Sequence, residues 1–137
     1  MKVSLNWLKN YTEINISAKE LCDKMTMAGF EVEREFYVND AGNQIDKFAL
    51  SLDIRYQQIL KGEDAVEFPE DGYQGGDIIE HAKEFTKING DKYVNASEQE
   101  RKDALVAYAL EINIAALKTD LEKYRIFYDI WFPESII

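Results

Sequence analysis

The chain of 137 residues carries 26 acidic against 16 basic side chains, a formal charge of −10, which repels phosphate backbones and disfavours free-standing nucleic-acid binding. With 46% apolar residues it is long enough for one compact domain over 1–137, burying roughly two thirds of its unfolded surface. The single Cys22 excludes an internal disulfide and a cysteine-based zinc cluster, and no apolar run reaches signal-peptide length or the ~20 residues of a membrane span, so a soluble cytoplasmic protein with no membrane partner is expected.

Residues 2–8 alternate Val3, Leu5 and Trp7 with Lys2, Ser4 and Asn6, the pattern of a half-buried strand. Ser17 and Glu20 form a capping box, after which Leu21, Met25 and Ala28 recur at helical spacing until Gly29 stops the helix. Phe30, Val32 and Phe36–Val38 predict a second extended run, ending at Asn39-Asp40-Ala41-Gly42. Beyond it Ile45, Phe48, Ala49, Leu52, Tyr56, Ile59 and Leu60 share one helical face, and Asp46, Lys47, Asp53, Gln57 and Lys61 the other. That split predicts a helix of about four to five turns.

The segment KGEDAVEFPEDGYQGGD, with four glycines and one proline in 17 residues, reads as a loop. A shorter helix is expected from Asp77 to about Ile88, with NGDKYVN as a turn. Ser97 and Glu100 make a second capping box and open a long helix, with Leu105, Tyr108, Ala109, Ile112, Ala115, Ala116 and Leu121 directed inward. The tail RIFYDIWFPESII reads as a final strand closed by Pro133. The expected fold is α/β and mostly helical, with a small sheet: an N-terminal strand-helix-strand unit, then three helices and a C-terminal strand. A right-handed crossover would make the first two strands parallel if they are neighbours.

The stretch EFYVNDAGNQID spans the carboxyl end of a strand and the start of a helix, where open α/β sheets place ligand sites and where helix amides face outward. On position alone, Asn39 or Asp40 is most simply a turn former or an N-cap. DGYQGGD lacks the Gly-Lys-Ser/Thr ending of a phosphate loop and reads as an ordinary loop. Glu63, Asp64, Glu67, Glu70, Asp71, Asp77, Glu80 and His81 match no calcium-loop spacing, so a solvated acidic surface is expected and no metal site is assigned. His81, between Ile78 and Phe85 at helical spacing, belongs at the core margin. With no nucleophile or orienting partner in view it is not assigned a catalytic role.

REFYVNDAGNQIDKFALSLDIRYQQILKG, FPEDGYQGGDIIEHAKE, GDKYVN and DLEKYRIFYDIWFPES, in that order over 34–137, resemble bacterial arginyl-tRNA synthetase, in the part of the class I catalytic domain after its first strand and helix. MKVSLNWLKNYTEINISAKELCDKMTMAGFEVE, over 1–33, resembles the N-terminus of the phenylalanyl-tRNA synthetase β subunit, so the chain reads as a chimera. The first resemblance implies ATP-dependent aminoacylation in the intact family, with arginine and tRNA as partners and ATP and Mg²⁺ as cofactors. It also makes Asn39, Asp40, Asn43 and Gln44 the candidate substrate-binding residues. The family's His-x-Gly-His-type motif cannot be written in a chain whose only histidine is His81, and KMTMA at 24–28 lacks the second lysine of a Lys-Met-Ser-Lys-Ser-type loop. Nor does the chain reach the anticodon-binding domain expected of the family. It is therefore expected to be an arginyl-tRNA synthetase-like fragment, inactive alone, with no catalytic residue and no cofactor of its own. The alternatives are an accessory module that binds tRNA or a synthetase, or a purely structural chain. Homodimerisation through exposed apolar surface is a further expectation.

Overall fold

The computed structural model describes residues 9–136, so the strand expected at 2–8 lies outside the described residues. The chain divides into two compact units, Met1–Glu35 with Tyr128–Ile130, and Phe36–Phe127 with Trp131–Ile137.

In the first unit, helix α1 (Ala18–Met27) opens on the expected reciprocal box. Glu20 N–H donates to Ser17 Oγ at 3.2 Å, and Ser17 N–H to Glu20 Oε2 at 3.1 Å. The helix closes in a Schellman turn: Phe30 N–H reaches the Met25 carbonyl and Gly29 N–H the Thr26 carbonyl, with Gly29 at φ +86°. KMTMA lies inside this capped helix and its C-cap. None of its residues is buried, and Met25 and Ala28, expected inward, are exposed. The extended run is also shorter than its pattern suggested: residues 30–34 form no strand, and Phe30 is exposed. Arg34 instead pairs within the unit. Its N–H donates to the Asp129 carboxylate at 2.7 Å, and its carbonyl accepts from the backbone N–H groups of Asp129 and Ile130.

The second unit is built on helix α2 (Asn43–Lys61), packed against α3 (Gly76–Asn89) and α4 (Glu98–Lys123). Phe48, Leu52, Tyr56, Ile78, Phe85, Leu105 and Ala109 form its core. Tyr56 shows why an aromatic with a polar tip suits this centre. Its ring meets Phe85 edge-on at 5.5 Å, while its hydroxyl donates to the Gly90 carbonyl at 2.8 Å and accepts from Tyr93 N–H at 3.3 Å. The turn between α3 and α4 is thereby tied to the middle of α2.

Two expectations about these helices fail. Asp53, placed on the polar face by spacing, is 3% exposed, and it pairs with Arg101, itself 8% exposed. The guanidinium Nε and Nη2 address the two carboxylate oxygens, Nη1 donates to the Ala96 carbonyl at 3.1 Å, and Gln57 donates to Asp53 Oδ2 at 3.1 Å. A bidentate pair with its remaining sites bonded is the form in which buried charge is tolerated. The bond to Asp53 raises the proton affinity of Arg101 above its ordinary value, against the opposing effect of burial. The inward stripe of α4 also ends early: Leu105 and Ala109 are buried, but Ile112, Ala115 and Ala116 are exposed and Leu121 only half-buried. At 1.5 Å per residue α4 runs to ~39 Å against ~29 Å for α2, so α4 outruns the helix that covers it. Ile59 of α2 is likewise 41% exposed.

The loop after α2 holds a short 3-10 turn, Glu63–Ala65, and is fastened along α2 by four contacts, the first from Gln58 Nε2, which donates to the Val66 carbonyl at 2.8 Å. Tyr73 N–H donates to Ser51 Oγ at 2.8 Å, Lys47 pairs with Asp71 at 3.0 Å, and the Arg55 guanidinium lies 4.2 Å over the Phe68 ring. Residues 71–75 of DGYQGGD are therefore a tethered surface loop, and Gly76 and Asp77 already belong to α3.

Strands β1 (Glu35–Val38) and β2 (Ile130–Pro133) make a two-stranded sheet. Within the second unit Phe36 stacks on Trp131 with centroids 4.6 Å apart, and Tyr37 on Phe132 at 6.4 Å. Both contacts advance together along the chain, so the strands run parallel. The parallel pair is thus the second predicted run with the C-terminal strand. A 3-10 turn, Glu134–Ile136, comes after β2.

Candidate functional site at the strand-helix corner

The corner after β1 is shaped by a glycine. Gly42 sits at φ +77°, a region that side chains rarely adopt, and α2 begins at the next residue. Gly42 is the N-cap and no side chain caps the helix, so Asn39 and Asp40 are turn residues and neither is the N-cap. Asp40 N–H closes a tight turn onto the Val38 carbonyl at 3.1 Å.

Asp40 is half-buried, and both its oxygens are engaged by one residue: Ser135 N–H donates to Oδ1 at 2.8 Å and Ser135 Oγ to Oδ2 at 2.7 Å. Burial would raise the Asp40 carboxyl, but these bonds, with backbone donors of Asp40 and Glu134, outweigh it and hold the group below its ordinary value. The Asn39 and Gln44 amides meet at 3.0 Å. With its nitrogen turned toward the Ala41 carbonyl (3.0 Å) and the Glu134 carboxylate (2.9 Å), Asn39 donates to both. Tyr37 also donates to Glu134, and its hydroxyl is pushed up by burial first and then by that bond and the charges of Glu134 and Asp40. Asn43 opens α2 and is exposed. Of the four expected site residues, Asn39, Asp40 and Gln44 thus belong to one bonded corner, and Asn43 stands at its solvent side.

Asp40 lies at the edge of a cleft of about 410 Å³ between α2 and α4. Ile45, Ala49 and Val106 supply apolar lining, and Asp46, Lys102 and Asp103 bring charge. Lys102 is paired with Glu98 at 2.6 Å, and Asp103 accepts from Gln99 at 2.8 Å. The cleft is open and of mixed polar and apolar lining, and that lining sets no nucleophile against a base. Among the described residues, no three His, Cys, Asp or Glu side chains converge as a metal site would require, and no helix is long and apolar enough to cross a membrane. His81 is half-buried, with Nε2 2.9 Å from Asn113 Oδ1, which places it at the core margin as expected. Glu134 and Ser135 were missed by sequence reasoning. Their only signal is the register of a strand pair 95 residues apart.

Over 108 residues the chain is 61% identical to a protein of Ruminiclostridium cellulolyticum and 56% identical to one of Acetivibrio thermocellus, in each case over 79% of this chain and 19% of the relative. Both are arginine–tRNA ligases. An arginine–tRNA ligase of Caldanaerobacter subterraneus is 54% identical over 115 residues. A crystal structure described as an arginyl-tRNA synthetase from Campylobacter jejuni superimposes with a TM-score of 0.64 at 30% identity, over 82% of this chain and 24% of that one. No family model matches. The chain spans about a fifth of the length of the curated arginine–tRNA ligases it matches.

Proposed function

We propose that this arginyl-tRNA synthetase-like fragment preserves one wall of a substrate pocket and is catalytically silent on its own. The observation that carries this reading is the 61% identity over 108 residues, in a chain whose single histidine cannot supply a paired-histidine motif. In a complete synthetase the charge on the transferring phosphates must be stabilised by preorganised groups, and this chain offers acidic side chains around its corner instead. Asn39, Asp40, Asn43 and Gln44 form the substrate-facing side of that wall, with arginine, tRNA, ATP and Mg²⁺ belonging to the intact family. Residues 1–33 derive, on this reading, from a phenylalanyl-tRNA synthetase β subunit, joined just after the helix that ends in Ala28-Gly29-Phe30, a turn that suits both parents. On the same reading the chain is a cytoplasmic protein.

ATP–pyrophosphate exchange with arginine, with and without tRNA, tests the central claim. Exchange at blank level is expected, and turnover above it would overturn the reading. An intact arginyl-tRNA synthetase gene in the same genome is the expected accompaniment, leaving this chain dispensable for charging. Ile112, Leu117 and Phe127 are 40%, 38% and 59% exposed, which favours self-association. Light scattering should show a concentration-dependent mass, and a monomer at all concentrations would remove that part of the proposal.

A further inference from the structure

We propose that Asp40 and Ser135 form a proton-sensitive latch that fastens the C-terminal turn Glu134–Ile136 to the strand-helix corner. The parallel ladder cannot hold this turn. Pro133 ends β2 and has no N–H to donate, and Ile136 is 67% exposed, so the turn is anchored neither by backbone pairing nor by apolar burial. The turn is held through carboxylates: Asp40 receives both donors of Ser135, and Glu134 receives Tyr37 and Asn39. An ionised carboxylate is acceptor-only with two equivalent oxygens, and protonation converts one of them into a donor. The Ser135 hydroxyl and amide would then face a group able to accept at only one of the two contacts in the same way.

The charged and titratable groups facing Asp40 are Tyr37 from β1, Glu134 from the turn itself, Asp46 from α2, and Lys102 and Asp103 from α4 across the cleft. Lys102 is committed to Glu98, so the donors of Ser135 carry the weight of keeping Asp40 ionised. The folded carboxyl lies below its ordinary value, so the latch is fully closed above the ordinary carboxylate range and opens as pH falls through the depressed one. On the alkaline side, Tyr37 is raised. Its donation to Glu134 is complete below the ordinary phenol value and is lost only as pH rises through the raised one.

The test tracks the Ser135 amide and the Asp40 carboxyl carbon by NMR from neutral to acid pH in the full chain, with Leu52 and Leu105 resonances reporting the core. The two probes are expected to titrate together at a common midpoint while the core signals stay in place. Ser135→Ala should move the Asp40 midpoint up toward the ordinary carboxylate value, and Ser135→Thr, which keeps the hydroxyl, should restore most of the depression. If Ser135 responds only when the core unfolds, or the Asp40 midpoint is the same in Ser135→Ala, the latch does not exist.

Discussion

Helices α1 and α2 make an instructive pair. Both are amphipathic and both end at a positive-φ glycine, yet α2 buries seven residues and α1 none. Of the two, α1 has the better local chemistry, with a complete capping box, while α2 starts at an uncapped glycine. Capping and periodicity determine that a helix can form and which face it would hide. Whether the face is hidden depends on partners, and in the second unit α3 and α4 supply them to α2.

The sharpest way to break the contrast is at the buried ion pair of α2, since the Lys19–Asp23 pair of α1 is exposed. Asp53→Ala should cost about 3–5 kcal/mol in urea unfolding because it strands Arg101 among buried atoms, and a double change to apolar residues of similar volume should recover most of it. A loss under about 1 kcal/mol in the single variant would show that the pair is solvated. Next, Leu52→Ala is expected to cost about 2–5 kcal/mol, whereas Leu21→Ala in α1 should stay within ~1 kcal/mol, both read from the same denaturation curves. Equal losses would erase the distinction between the helices.

The caps sharpen the comparison further. Ser97→Ala removes the acceptor for Glu100 N–H at the start of α4 and should lower global stability by about 1 kcal/mol. Ser17→Ala, the equivalent change in α1, should raise amide exchange in residues 18–21 and leave the global midpoint unchanged. Smallest of all is the Lys47–Asp71 contact that pins the loop to α2. The Lys47 hydrogen bond and charge hold the exposed Asp71 carboxyl below its ordinary value, so the tether is present above the ordinary carboxylate range and fades as pH falls through the lowered one. A chemical-shift titration of Asp71 should lose this depression in Lys47→Ala.

Much of this organisation was legible in the residues. Ile45 through Tyr56 and Leu105 with Ala109 announced their helices by spacing, the Ser17 box formed in full, Ser97 capped Glu100 N–H without the return bond of the expected box, and IWFP became the final strand. The features that stayed hidden share a physical cause. Asp53 lies among polar positions, and nothing local tells a solvated carboxylate from one awaiting an arginine 48 residues away. The second half of α4 has the pattern of a buried face, but the length of its neighbours, which pattern does not record, leaves it open. At the candidate corner, the turn and helix start were readable, whereas the Glu134 and Ser135 side chains that fill it arrive through a pairing 95 residues apart.

That separation also bears on the order in which the chain acquires structure. Closing a loop of 95 residues costs about 4 kcal/mol of chain entropy by the logarithmic scaling, before any strand contact repays it. The contacts among α2, α3 and α4 span shorter stretches and draw on the larger apolar core, so the helices should consolidate first and the strand pair close on a scaffold that already exists. Pulse-labelled exchange that protected the Val38 amide as early as that of Leu52 would contradict this sequence of events. On this account β1 and β2 complete the fold, and the corner at their carboxyl ends is the last part of the molecule to exist.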